Sequence, residues 1–409
     1  MNTDDWSATA HRALPVLALA VGFLGAVHAV VAISDGAPYE VPITDFGRDL
    51  LGAQAAQLGV NPYQSLGVLE SEIPAASVPV EASDFVVAHS PLSIAGARFW
   101  LSFVGPSLAE PLAGAIHLGS LIVVVIGVFI YTAKKLMVWH GVALAGALTL
   151  TFGFRNDLFW LQGSALVAIG LALVFWLAGN GRGLVAILLM GLLVAWRPWL
   201  APVGLMLPNR ASWMKDLVRV GIVAASATLL ALPYLGGWAA LSWWIGASSI
   251  NMDFYLDYSW NLSLIGHMLP PPLAMLCFVA VGTTAASQAK RLPPQSKPAL
   301  AALVILTFSP LVWPHHWLAL LPALVLLIEY GAFRPILSAV LLLAWPVAGF
   351  SPALARLTSL GAGVVLSISV YDLYRSSGEF RSEPGNATSV RPAPRRSPRG
   401  MVAPKHIHD

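Results

Sequence analysis

The chain is 409 residues long, 57% hydrophobic and only 11% charged, with a mean hydropathy of +0.73. That composition excludes an ordinary soluble domain and describes an all-α polytopic membrane protein. The formal net charge of +3 comes largely from arginines in loops and tail, a pattern of membrane orientation and not of nucleic-acid binding, and the single Cys277 excludes an internal disulfide framework or a cysteine-based metal cluster.

Residues 1–12 are polar and read as a cytoplasmic N-terminus, and 13–33 form the first apolar span. A cleavable signal peptide competes for this segment, but its weakly basic start and its length favour an uncleaved helix. The first loop carries Asp35, Glu40, Asp45, Asp49, Glu70, Glu72, Glu81 and Asp84 against Arg48 alone, so it belongs outside the cytoplasm. Within it, residues 45–58 predict a short amphipathic helix lying in the interface. Thr44 is its N-cap, Phe46, Leu50, Ala53 and Leu58 share one face, and Gly59 with Asn61-Pro62 stops it. A second interfacial helix is expected at 91–104 before a full span at 107–132.

Lys134-Lys135 marks a cytoplasmic turn, and spans at 137–154 and 158–178 form a hairpin with Arg155, Asn156 and Asp157 at its outer tip. The apolar run 183–207 is expected to break at Arg197-Pro198 into a re-entrant pair. Proline removes a backbone donor and disfavours helical geometry in its predecessor, and the break returns the following basic residues to the inside. Further spans follow at 217–235, 263–288, 298–313, 315–330, 334–350 and 354–371, with a polar outer segment at 236–261. The result is about ten full spans plus the re-entrant pair. Residues 13–371 form one transmembrane unit whose first loop occupies 34–106. Residues 372–409, rich in Arg, Pro and Ser, read as a disordered cytoplasmic tail.

This topology gathers polar residues at the outer mouth of the bundle. They are Asp45 and Asp49, Arg155, Arg197, the group Asp253, Asp257, Asn261 and His267, and the pair His315-His316. Each also has a plain structural reading. Asp45 in a first turn complements the helix dipole, Arg197 can snorkel, and two histidines beside Trp313 and Trp317 suit an interfacial aromatic belt. Pro314 suits the first position of a helix, which puts both histidines at its N-terminus about 100° apart, so at most one is expected to face a site squarely. No third ligand lies at helical spacing, which argues against a metal. An acid, a buried cation and imidazoles at the mouth of a bundle suit sugar transfer from a lipid-linked phosphate. A carboxylate takes the hydroxyl proton, and cationic groups stabilise the departing phosphate. No cofactor is required, and no phosphate-cradling glycine loop is present.

The stretch DFGRDLLGAQAAQLGVNPY (45–63) resembles the opening motif of bacterial polyprenyl-phosphate-sugar-dependent glycosyltransferases of the GT-C class, in particular the actinobacterial α-mannosyltransferase-like family. SPLVWPHHWLALLPAL (309–324) is similar to that family's serine-proline, tryptophan and double-histidine segment. Weaker echoes are NLSL (261–264), where the family tends to have Asn-Gln-Ser-Leu, and VAWRP (194–198), where it usually has a lysine before the proline; Leu161-Gln162-Gly163 departs from the family's glycine-glutamine pair. The likeness covers about residues 40–330 and implies a GT-C-like bundle. It implies Asp45 as catalytic base, His315 and His316 at the donor phosphate or acceptor, and Arg197 in place of the family's lysine. The outer-mouth residues Arg155 and Asn261 join them as candidates for donor-phosphate or acceptor binding, with Asp49 and Tyr63 in support. The implied partners are a polyprenyl-phosphate sugar donor and a glycolipid or lipoglycan acceptor, in a bacterial plasma membrane with the site facing outward. The family's usual donor carries mannose and some relatives use arabinofuranose. A lipid or small-solute transporter is the reading of another class.

Overall fold

A computed structural model describes residues 3–34, 43–73, 83–205, 207, 213–256, 261–289, 292, 297–326 and 368. The expected spans at 334–350 and 354–371, Asp257 and the basic tail lie outside these residues. The regular elements among the described residues are all helical, and the only β-type pairing among them is an isolated bridge between Ser65 and Val86.

Helix α1 runs unbroken over Thr3–Ser34 and contains Pro15. It packs on α6 (Val138–Thr149) at a glycine crossing, where a Cβ on Gly146 would lie 2.6 Å from the Gly22 Cα. Backbones approach this closely only where neither residue has a side chain. α2 (Asp45–Gln57) and α3 (Leu66–Glu72) lead into α4 (Pro91–Val104), which meets the long α5 (Pro106–Lys135) at Gly105. α2 and α4 share a core of their own built on Leu50, Leu66, Leu69 and Ile94. Thr44 caps α2 as expected, accepting from Gly47 N–H at 2.8 Å. Leu58, expected on the apolar face of this helix, instead sits beyond its last turn and is 55% exposed.

The hairpin expected at 137–178 has a third helix at its tip. α7 (Phe152–Trp160) and α8 (Ser164–Gly179) meet at 113°, and the turn between them holds Leu161 and Gly163 in left-handed geometry (φ 48° and 75°). α9 (Gly183–Trp196) ends where Arg197-Pro198 was expected to break it. Arg197 has φ −129° and ψ 87°, and a 3-10 turn (Pro198–Leu200) and α10 (Ala201–Leu205) follow. The chain continues through α11 (Trp213–Ala231), α12 (Trp238–Leu256), α13 (Leu264–Met268), α14 (Pro271–Gln288), α15 (Lys297–Phe308) and α16 (Pro314–Val325).

Three described helical stretches are long and apolar enough to cross a bilayer: Pro15–Ile33, Pro106–Lys135 and Lys215–Leu235. The bent α7–α8 pair qualifies as a fourth only if its halves count as one span. α6, α9, α15 and α16 are apolar but shorter: Arg197-Pro198 ends α9 and Ser309-Pro310 ends α15 before either reaches about 20 residues. The largest core, on α8, α9, α15 and α16, is sealed by Leu171, Ile187, Met190 and Leu320.

Candidate active site

Between the α2–α4 layer and the α8, α9 and α16 core lies a cavity of about 720 Å³. Among the described residues its charged lining is one carboxylate, Asp45, and two guanidinium groups, Arg48 and Arg197, with His89, His315 and His316 as the imidazoles. Trp160, Trp196, Trp199, Trp244 and Trp313 supply most of its aromatic wall. The sequence pointed to Asp45, Arg197 and both histidines. The fold brings these four together from three separate parts of the chain.

Asp45 begins α2 and is 4% exposed. One turn on, Arg48 forms an ion pair with its Oδ1, and the Arg48 guanidinium also lies 5.7 Å from the Phe85 ring centroid. The other oxygen, Oδ2, is 3.9 Å from His89 Nε2. His89 had no role in the sequence reading. Its Nδ1 lies 2.7 Å from Asp49 Oδ1, while Ser93 Oγ donates to Asp49 Oδ2 at 2.5 Å. Burial raises the Asp49 carboxyl, but His89, the Ser93 hydroxyl and Arg197 outweigh it and hold its pKa below the ordinary value. Burial pushes the His89 pKa down, against the pull of Asp49. Asp49 therefore sits behind His89 and outside the cavity lining. Tyr63 is buried near Asp49 with its phenol pKa raised by burial and by that carboxylate, and it too lies outside the lining.

The three residues at the α7 tip point three ways, as residues about 100° apart on a helix must. Arg155 is exposed, stacks 4.9 Å over the Phe159 ring and is not part of the cavity. Asn156 faces the cavity and its Nδ2 lies 3.3 Å from His315 Nδ1. Asp157, expected at the outer tip of the hairpin, is fully buried: it pairs with His117 of α5 at 2.9 Å and accepts from Ser164 and Ala165 N–H, capping α8.

Arg197 Nη2 donates to the Gln162 carbonyl at 2.6 Å, and its guanidinium lies 5.0 Å from the Trp196 ring. Among the described residues no carboxylate lies within ion-pair distance of it. The cation is thus held by a main-chain dipole and an aromatic face, with its charge available to the cavity.

Both histidines line the cavity, against the expectation that only one would. Their rings meet edge to face at 4.7 Å, and His316 stacks on Trp199 at 4.1 Å. His316 Nδ1 accepts from the Trp313 N–H at 3.3 Å, and His315 Nδ1 accepts from Asn156. A neutral imidazole that accepts at Nδ1 carries its hydrogen on Nε2, so both rings are N–H donors. Asn261 is fully buried and outside the lining. Its Nδ2 donates to Pro310 O at 3.1 Å, and its Oδ1 accepts from Val312 N at 3.0 Å and Ser263 N at 3.1 Å. It clips the segment that delivers the histidines. The side chains of Asp253 and His267 lie outside the described residues.

The signals that could have revealed the unexpected members were present but local. His89 directly precedes the Ser90-Pro91 helix start, and Gln162 sits in the one odd glycine turn of the hairpin. Among the described residues no group of three metal-ligating side chains comes together. No family model, no curated protein and no solved structure matches this chain.

Proposed function

We propose that this protein is a membrane glycosyltransferase that moves a sugar, in the first instance mannose, from a polyprenyl-phosphate donor to a glycolipid or lipoglycan. The observation that carries the reading is the charge pattern of one largely apolar cavity. Among the described residues, and with neutral histidines, its lining sums to one carboxylate and two guanidinium groups, an excess of one positive charge. That excess complements the single negative charge of a sugar phosphodiester, and the tryptophan faces suit a sugar ring.

Asp45 is the base that removes the acceptor proton, and Arg197 with the Nε2–H groups of His315 and His316 stabilises charge on the departing lipid phosphate. Attack on the face opposite the phosphate inverts the anomeric centre. The lipid tail has an apolar route: Met275 and Val279 of α14 line the cavity and are also 39% and 53% exposed on the helix surface. In the whole protein the described helices belong to a GT-C-like bundle of about ten spans with a re-entrant pair, in a plasma membrane with the cavity facing the extracytoplasmic side. An arabinofuranose donor has the same phosphodiester chemistry.

The deciding experiment is transfer of radiolabelled mannose from polyprenyl-phosphate mannose to membrane glycolipids by the wild type and Asp45→Asn at matched protein levels. Transfer should fall at least ~100-fold in the variant. Equal incorporation in both removes Asp45 as base. Background levels in both, repeated with lipid-linked arabinose, overturn the transferase reading in favour of a transporter.

A further inference from the structure

Asp49, Ser93 and His89 form an oriented unit that the transfer step as stated leaves without a task. α2 puts Asp49 one turn after Asp45, and both of its oxygens are occupied, by His89 Nδ1 at 2.7 Å and by Ser93 Oγ at 2.5 Å. A carboxylate only accepts, so the hydrogen between Asp49 and His89 belongs to Nδ1. The lone pair of the neutral ring is then on Nε2, the atom 3.9 Å from Asp45 Oδ2, and the ring lines the cavity. An imidazole held by a buried carboxylate with its free nitrogen toward the reacting groups is the arrangement of a general base. A purely structural partner for Asp49 would need only one donor and no second nitrogen at the cavity.

We propose that His89, oriented by Asp49 and Ser93, is the terminal proton acceptor of the transfer, taking over the proton that Asp45 removes from the acceptor hydroxyl. The inference rests on the transferase reading. As the acceptor oxygen bonds to the anomeric carbon, its O–H bond breaks and the proton goes to Asp45 Oδ2. The bond from the anomeric carbon to the phosphate oxygen breaks and its electron pair leaves with the lipid phosphate. A protonated Asp45 beside Arg48 loses its ion pair. Passing the proton to His89 Nε2 restores that pair, and the imidazolium is balanced by Asp49 behind it. The 3.9 Å gap is closed by one bridging water or a small side-chain shift. Among the described residues, the charged and titratable groups that face His89 are Asp45, Arg48 and Asp49 of α2, Arg197 after α9, and His315 of α16. The three cations or potential cations oppose its charging, and the two acids favour it.

Two measurements test this. Nitrogen NMR of histidine-labelled protein in nanodiscs, assigned with His89→Gln, should show His89 with Nδ1 protonated and Nε2 bare near neutral pH. Asp45→Asn should lower its titration midpoint by about one pH unit, since an opposite charge at this distance is removed. A proton on Nε2 of the neutral ring, or a midpoint indifferent to Asp45→Asn, overturns the relay whatever the activity. In the mannose assay, wild-type transfer should fall on the acid side as His89 charges. His89→Gln should be at least ~10-fold slower with that acid limb removed. Asp49→Asn, which keeps the ring but loses its orientation, should be slowed in the same way. A uniform loss at every pH with the limb retained overturns the relay alone. A wild type that transfers no sugar at any pH overturns the transferase reading itself.

Discussion

The guanidinium of Arg197 donates to the main-chain carbonyl of Gln162 at 2.6 Å and thereby joins two of the breaks in the helical chain that line the cavity. One break is the α7–α8 turn, the other the end of α9. Gly163 in that turn has φ +75°, and a Cβ there would lie 3.2 Å from the Trp196 ring, so the close approach depends on glycine. Exposed carbonyls at bends inside apolar surroundings need a donor, and Arg197 supplies one while keeping charge at the cavity.

Arg197→Ala should therefore do two things: lower stability by about 1–3 kcal/mol through the orphaned carbonyl, and weaken donor use. Arg197→Lys has one point-like head in place of a fork, so it should keep most of the stability yet lose ~10-fold in transfer. Thermal unfolding in detergent and transfer kinetics separate the two. Near-normal transfer by the alanine variant removes Arg197 from the site.

His315 and His316 should differ on substitution because their neighbours differ. His316 stacks on Trp199 and accepts the Trp313 N–H at the start of α16, so His316→Ala should cost about 1–2 kcal/mol of stability as well as activity. His315 is oriented by Asn156, so His315→Ala should lose transfer with a smaller stability effect, and Asn156→Ala should reproduce part of that loss. Melting temperatures and rates for the three variants decide it. Equal and mild effects throughout would return both histidines to an interfacial belt.

Asn261 acts at a distance from the chemistry. One buried amide makes two hydrogen bonds that hold residue 261 against 310–312 and a third that turns its own segment at Ser263, and Leu262 N adds a further cross-link to Val312 O at 2.7 Å. Asn261→Ala should destabilise the protein by roughly 2–3 kcal/mol and slow transfer by displacing the histidine segment. An unchanged melting temperature would show that the clip is dispensable.

Stability should depend on pH through the same first-loop residues. Burial holds His89 below its ordinary 6.5, so as pH falls through 6.5 the unfolded chain binds a proton that the folded chain does not. Stability declines from there until the folded pKa is reached. Asp49 is held below its ordinary 3.8, so its contribution is complete above 3.8 and is lost as pH falls through the lower folded value. Melting temperature against pH should show both limbs, with His89→Gln flattening the first and Asp49→Asn the second. A His89→Gln profile that superimposes on the wild type would deny His89 its part.

The apolar, helical character of the chain, the Thr44 cap, the start of α4 at Pro91, the end of α9 at Arg197 and the start of α16 at Pro314 were determined by the sequence by itself. Each depends on hydropathy over a span or on hydrogen bonds and sterics within a few residues, so the information is local. Tertiary structure alone decided which polar groups meet. Asn156 and His315 are 159 residues apart, His89 and Asp49 are 40, and Gln162 and Arg197 are 35. Nothing in the spacing of either partner names the other. It took helix packing to turn Asp157 inward to His117, leave Arg155 on the surface and bring both histidines to one cavity. The physical reason is that in largely apolar surroundings an isolated polar group is costly, so polar side chains on distant elements are sorted by whichever partner the packed helices place within reach.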